Sequence, residues 1–390
     1  MRLLYLSADP GVPVFGHKGA SVHVRELVRA LTLEGARMVI ASPRVRPEGD
    51  SLDVAVDLLG IPAVAASEHA RAASLRAAGQ RQAEELLRLA RPLGLEGIYE
   101  RYSLYSFAGT HLAGSLDLPY VLEVNAPLRD EARRFRSLLH PAVAAEVEAR
   151  VYSSADRIYA VSRPLADLLA RETDETKVRI LRNGASAHSV RRQRGVGNHF
   201  TVGFAGSLKP WHGIEVLVEA VSVAAAEIPG LRLEIVGEGP QAHILERVRL
   251  PQGRFKSYGA RPHGETLQIL ACWDVGLAPY VAASPTFYFS PLKIGEYMAA
   301  GICPVASDLG EIRTLLKDGE CGVLVPPGDA EALASALVEL AGDRARLSRL
   351  AACAQRRALA SLSWRHNARV VTGYLRSLQL QRRTYAHAVA

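Results

Sequence analysis

Residues 1–42, MRLLYLSADPGVPVFGHKGASVHVRELVRALTLEGARMVIAS, contain one complete β-loop-α-β unit. Leu3 to Leu6 is a short apolar run without polar alternation, the pattern of a strand covered on both faces. Val22 to Leu33 carries apolar residues at helical spacing, Gly35 stops it, and Met38 to Ala41 begins a second apolar run. Between strand and helix lies a Gly/Pro-rich loop at residues 7–20, and loops of that length are often functional. The same alternation continues along the chain. Further strands are expected at Ile98 to Tyr99, Tyr120 to Val124, Arg157 to Val161 and Val178 to Leu181. A long helical stretch is expected at about 127–154, and a short helix opened by Ser162 with Pro164 in its first turn. The periodicity stops around Asn183 to His199, in a polar, basic stretch, and restarts after it. Strands are then expected at Thr201 to Phe204, Leu231 to Val236, Phe255 to Tyr258, Val275 to Ala278, Cys303 to Ala306 and Val323 to Val325. This is α/β architecture with parallel sheets in two domains.

Length and composition agree with that division. The chain has 390 residues, more than a single domain of ordinary size, and 48 % hydrophobic with 22 % charged residues supplies apolar material for two cores. Disordered and collagen-like classes are excluded on the same numbers. The net charge of +7 permits phosphate-bearing partners without requiring them. The basic cluster Arg191, Arg192 and Arg194 reads as solvated linker, so no nucleic-acid partner is expected. The four cysteines, Cys272, Cys303, Cys321 and Cys353, show no zinc-ligand spacing and are expected as buried free thiols. No basic leader with an apolar core opens the chain, and no run of about 18 apolar residues occurs, so a cytoplasmic, non-spanning protein is expected.

Two segments of the second half carry most of the chemistry. In SPLKIGEYMAAG, Ser290 to Gly301, Ser290 suits an N-cap, Pro291 the first helical position and Gly301 the stop. The opening amides of Leu292 and Lys293 form an anion site, and Glu296, one turn deeper, can accept hydrogen bonds from vicinal hydroxyls such as those of a ribose. The preceding PTFYF places aromatic groups at the mouth of this helix. In FAGSLKPWHG, Phe204 to Gly213, amides near Gly206 and Ser207 can approach phosphate oxygens and Lys209 can supply charge. Trp211 reads as packing. No Walker A loop and no GxGxxG after the first strand is present, which removes a P-loop enzyme and a nicotinamide dehydrogenase. HExxH, GxSxG and Asp-x-Asp are absent as well. In the first half, Gly16, His17, Lys18 and Gly19 precede a helix N-terminus, and Glu123 and Asn125 end a strand where α/β enzymes place side chains over a ligand. Glu100 and Arg101 stand at an equivalent strand end and read equally well as a surface ion pair.

Taken in order, GHKGASVHVRELVRAL, YERYSLYS, LEVNAPL, LRNGA, GSLKPWHG, IVGEGP, SPLKIGEYMAAGICPVAS, LGEIRTLLKDGECGVLVPPGD and the late Ser363-Trp364 resemble glycosyltransferase family 4 over nearly the whole chain. The resemblance implies the GT-B fold, two Rossmann-like domains facing a central cleft: an acceptor-binding domain at 1–185, a linker at 186–198, a nucleotide-sugar-binding domain at 199–362, and a closing helix at 363–390 returning to the first domain. It implies a retaining, metal-independent transfer of a sugar from a UDP- or GDP-sugar to a hydroxyl acceptor, which can be a small molecule, glycan or lipid, with no cofactor. The donor would contact Gly206, Ser207, Lys209, His212, Gly237, Pro291, Leu292, Lys293 and Glu296, and the acceptor Gly16, His17, Lys18, Gly19 and Asn125.

Three positions depart from the family pattern. Tyr288 stands where the first glutamate of E-x7-E is usual, while Glu296 matches the second, so Lys209, Glu296 and Tyr288 are the expected catalytic positions. Ser207 and His212 stand at the Arg and Lys places of the phosphate pair, with Lys209 and Lys293 as candidate substitutes. Asn125 occupies a region where a histidine is common. The departures leave open an inactive, binding-only homologue, and the fold leaves open a nucleotide-sugar epimerase. The stretch Arg129 to His140, RDEARRFRSLLH, leaves open contact with the inner face of a membrane.

Overall fold

The protein is described by a computed structural model covering residues 1–46, 51–135, 137–186, 199–282 and 287–389. It divides into two compact units, Met1–Arg182 with Trp364–Ala390, and Asn183–Ser363. The first follows the order β1 (Arg2–Ser7), α1 (Gly19–Leu33), β2 (Arg37–Ser42), β3 (Val56–Gly60), α2 (Ala72–Ala90), β4 (Gly97–Arg101), α3 (Ala108–Leu116), β5 (Tyr120–Val124), α4 (Leu128–Phe135), α5 (Pro141–Ser154), β6 (Arg157–Ala160), α6 (Arg163–Leu169) and β7 (Val178–Ile180). The second has β8 (Phe200–Ala205), α7 (Ile214–Ala224), β9 (Leu231–Val236), β10 (Phe255–Ser257), α8 (His263–Leu270), β11 (Val275–Ala278), α9 (Leu292–Ala299), β12 (Cys303–Ser307), α10 (Ile312–Leu315), β13 (Val323–Val325), α11 (Ala330–Gly342) and α12 (Arg344–Ser361). A final helix, α13 (Trp364–Val389), belongs to the first unit.

Both sheets are parallel and Rossmann-like, as expected. The first has the order β3-β2-β1-β4-β5-β6-β7 and the second β10-β9-β8-β11-β12-β13. Each chain order reverses beside its first strand, between β1 and β4 and between β8 and β11. Ligands of open α/β sheets bind at the C-terminal strand ends of such reversals. The apolar runs Leu3 to Leu6 and Val202 to Phe204 lie there because parallel strands are covered on both faces and need continuous hydrophobic sequence. In the first unit α1 and α13 lie against each other, with the rings of His23 and Trp364 meeting edge to face at 4.8 Å. Arg365 and Arg369 of α13 both donate to Glu34 after α1.

Several expectations are corrected. The stretch 127–154 is two helices, α4 and α5, because His140 turns left-handed at φ 51° and Pro141 starts a new helix. Ser290 does not cap α9. Its Oγ accepts the Asn183 N–H at 3.2 Å, while the Asn183 side-chain amide donates to the Ser290 carbonyl at 2.9 Å, so Pro291 takes the cap position. These bonds, and the pairing of Ala185 with Ser363, place Asn183 to Ala185 in the second unit rather than at the end of the first. The cysteines are not four buried thiols: Cys321 and Cys353 form a disulfide between the loop before β13 and α12, with Cα atoms 4.9 Å apart. Cys272 is exposed and Cys303 is buried, and both lie outside the disulfide. The expected linker falls almost entirely outside the described residues, as does its cluster Arg191, Arg192 and Arg194.

Candidate active site

In the second unit, β8 runs into Gly206, Ser207, Leu208 and Lys209, a single 3-10 turn at Pro210–His212, and then Gly213 before α7. Glycine is dictated at two places. A Cβ on Gly213 (φ 65°) would stand 1.9 Å from the Pro279 carbonyl at the end of β11. A Cβ on Gly237 (φ 132°), after β9, would stand 2.0 Å from the Gly206 carbonyl. The ends of β8, β9 and β11 thus crowd together, with backbone amides around the sheet reversal. The Gly206 N–H donates to Val236 and the Leu208 N–H to Glu238, which fixes the loop.

Helix α9 is seated against this loop by Tyr297, whose hydroxyl accepts the Ala205 N–H at 2.9 Å and donates to the Leu277 carbonyl at 3.3 Å. That seating brings Lys293 beneath Gly206, where a Cβ would lie 3.0 Å from Nζ. Lys293 is only 8 % exposed, its Nζ has no hydrogen-bond partner among the described residues, and the ammonium sits 3.7 Å from the centre of the Phe204 ring and 5.2 Å from that of Tyr280. Burial pushes its pKa well below the usual lysine range, and the charge of Glu296 only partly offsets this. A buried amine without a hydrogen-bond partner is costly.

The remaining expected contacts have distinct roles. His212 folds back so that Nδ1 donates to the Ser207 carbonyl, leaving Nε2 as the acceptor of the neutral ring. Burial, and then the charge on Lys293, lower its pKa to about 3, against the pull of the Ser207 carbonyl. The residue at the family's Lys place is therefore neutral at ordinary pH and supplies no cation. Lys209 is half-buried with Nζ 5.3 Å over Trp211, and Ser207 is exposed. Trp211 packs on an apolar cluster around α9, as expected. Tyr288 is buried with its ring 4.6 Å from Phe289. Of the expected PTFYF aromatics, Phe287, Tyr288 and Phe289 are described, while Pro285 and Thr286 lie outside the described residues. Glu296 faces His263 at the start of α8, Oε1 to Nε2 at 2.7 Å, a partnership that sequence spacing does not announce.

In the first unit the loop before α1 carries Gly16 half-buried, with His17, Lys18 and Gly19 exposed. It is held by Arg25, whose buried guanidinium donates to the carbonyls of Val14 (2.8 Å) and Gly16 (2.7 Å). Lys18 occupies the N-cap of α1 without a side-chain cap. At the end of β5, Glu123 is buried and receives four donors: His23, Tyr99, Arg101 at 3.4 Å and the side-chain amide of Asn125. Burial pushes its pKa up, but His23, Arg101 and Tyr99 more than reverse this and hold it at about 2. Asn125 follows the last strand residue, Val124, and its side-chain amide turns back to the Glu123 carboxylate. Glu100 and Arg101 are not an ion pair with each other. Glu100 is 0 % exposed with, among the described residues, only the Tyr120 hydroxyl as partner, and burial raises its pKa to about 8.

Among the described residues no group of three His, Cys, Asp or Glu side chains is placed to hold a metal ion, and no helix is long and apolar enough to cross a membrane. In the stretch Arg129 to His140, Arg129 is engaged by Glu148 (2.9 Å) and Glu172 (3.1 Å), whereas Phe135 is 53 % exposed.

Comparison with known proteins adds the following. Residues 18–184 match the family model described as a glycosyl transferase 4-like domain, and residues 199–343 the model described as glycosyl transferases group 1. A phosphatidyl-myo-inositol mannosyltransferase of Mycolicibacterium smegmatis is 32 % identical over 135 residues, 35 % of this chain and only 34 % of that protein. An alpha-maltose-1-phosphate synthase of the same organism is 27 % identical over 408 residues, covering 94 % of this chain and 96 % of its own. The solved sucrose-phosphate synthase from Thermosynechococcus elongatus superimposes with a TM-score of 0.73 at 20 % identity over 99 % of both chains. Anabaena Alr3699/HepE in complex with UDP-glucose gives 0.72 at 19 % identity, over 97 % of this chain and 100 % of that one.

Proposed function

Since this chain belongs to the family-4 glycosyltransferases of GT-B fold, we propose that it transfers a sugar from a UDP- or GDP-sugar to a hydroxyl acceptor, with retention of anomeric configuration and without a required metal. The observation that carries this reading is Lys293: a buried ammonium without a hydrogen-bond partner among the described residues, under the glycine loop at a sheet reversal. A diphosphate at the amides of Ser207, Leu292 and Lys293 gives that amine its missing acceptors, while the Gly206 amide stays bound to Val236. Its oxygens gain charge as the sugar–phosphate bond breaks, so a preplaced cation and amides lower the barrier there. Charge neutralisation by Lys293, with Lys209 at the loop's open side, is the ground for metal independence.

Glu296 anchors the donor ribose. Tyr288 offers a buried aromatic surface near the transferred sugar in place of the family's carboxylate. His17, Lys18, Gly19 and Asn125 meet the acceptor, with Gly16 shaping the loop. The sugar and the acceptor are set by pocket shape. A UDP-sugar is supported by the UDP-glucose complex of the Anabaena structural neighbour.

The test is calorimetric titration with UDP, GDP, ADP and NAD in the presence of EDTA. Micromolar binding of one diphosphate is expected, and binding of NAD alone overturns the reading. Labelled donor then separates an enzyme, which releases or transfers sugar, from a binding-only homologue, which does neither. Contact of α4 with a membrane surface is tested by co-sedimentation with anionic liposomes at low salt, where a protein left wholly in the supernatant ends that part of the reading.

A further inference from the structure

Glu296 stands on α9 and His263 on α8, 33 residues apart in the chain, and nothing in either local sequence pairs them. Both side chains are mostly buried, at 12 % and 14 % exposure, and the carboxylate uses Oε1 alone to meet His263 Nε2 at 2.7 Å. Oε2 has no partner among the described residues. A carboxylate offers about four lone-pair sites, of which the imidazole occupies one. The other three suffice for the two hydroxyls of a ribose. Because Glu side chains are long and lose considerable rotamer freedom when fixed, a free Glu296 would spend much of its time in orientations that do not face a diol. An Nε2–H donor on Oε1 removes that freedom before the nucleotide arrives.

We propose that His263 is a positioning residue for the donor ribose: it fixes the Glu296 carboxylate so that Oε2 and the second lone pair of Oε1 face the vicinal hydroxyls. The role rests on the donor-site reading given above. It predicts that His263 governs discrimination between ribose and 2′-deoxyribose rather than affinity for nucleotides as such. A ring that only filled space between α8 and α9 would influence both sugars equally.

The experiment first identifies which of UDP, GDP and ADP the full chain binds, then titrates that nucleotide and its 2′-deoxy counterpart against wild type, His263→Ala, His263→Gln and Glu296→Gln. Wild type is expected to prefer the ribonucleotide by about 10- to 100-fold, the range for a hydrogen bond to a charged group. His263→Ala should reduce that preference by about tenfold, His263→Gln should restore most of it by keeping a side-chain N–H donor, and Glu296→Gln should remove nearly all of it. Equal weakening of both nucleotides in His263→Ala, or no change in either, overturns the proposal. If wild type binds none of the three nucleotides, the donor-site reading itself fails. Should His263→Ala lose the wild-type circular dichroism, the discrimination ratio of His263→Gln decides: a ratio near wild type supports the role, and one as low as that of Glu296→Gln refutes it.

Discussion

The two units carry buried charged groups at the same topological place, the C-terminal strand ends beside a sheet reversal, and treat them in opposite ways. In the first, Glu123 is saturated by His23, Tyr99, Arg101 and Asn125. In the second, Lys293 has no hydrogen-bond partner among the described residues. A saturated ion holds elements together and has little left to offer a ligand, whereas an orphaned one burdens the free protein and rewards whatever completes it. On the donor-site reading proposed above, the contrast separates a scaffold ion from a binding ion.

Substitution at the two sites should therefore have opposite signs in stability. Glu123→Ala leaves His23 and Arg101 facing an uncompensated hole, and a loss of about 3–5 kcal/mol is expected by chemical denaturation. A loss under 1 kcal/mol would break the comparison. Lys293→Met keeps the shape and removes the orphan, so stability should rise by about 1 kcal/mol. Its affinity for the nucleoside diphosphate should meanwhile fall by about 100-fold, a charge-assisted hydrogen bond lost from a buried place. Lys209→Met, at the open side of the loop, should cost about tenfold or less. The reverse ranking of the two lysines would assign the phosphate cation to Lys209.

A smaller effect sharpens the comparison inside the first sheet. Glu100 is as buried as Glu123 yet has one partner among the described residues, and its pKa is raised to about 8. Between the ordinary glutamate range near 4.5 and pH 8 the unfolded chain holds fewer protons at this position than the folded one, so its contribution to stability falls as pH rises through that window. Glu123 behaves in the other sense, contributing above the ordinary range and losing that contribution only as pH falls toward 2. Glu100→Gln, which keeps an acceptor for Tyr120, should flatten the decline of stability between pH 5 and 8, as read by denaturant midpoints. An unaltered slope would show that Glu100 does not titrate there.

The sheets were legible in sequence because parallel strands must be apolar throughout, and Leu3 to Leu6 or Val275 to Ala278 can be read on that basis alone. β3 escaped the same criterion: as an edge strand, VDLLG is half exposed and breaks its apolar run with Asp57. Local capping rules succeeded at Ser162, whose hydroxyl accepts the Leu165 N–H, and failed at Ser290, where a distant Asn183 captured the same kind of oxygen. The glycine loop and Glu296 were visible because they recur as a spaced pattern. Arg25 beneath the Gly16 loop, His23 on Glu123, His263 on Glu296 and the Cys321–Cys353 bridge were not, because each joins elements that only the completed fold brings together. The neutrality of His212 likewise depends on Phe204, Tyr280 and Lys293 surrounding it, which composition does not encode.

The return of α13 to the first unit has a consequence for recombining such proteins. Because the chain leaves that unit at Arg182 and re-enters it at Trp364, whose ring lies against His23, a hybrid made with a single junction would pair one parent's amino-terminal sheet with the other parent's closing helix. Exchange of the second unit between relatives is then an insertion problem with two splice points, after Arg182 and before Trp364.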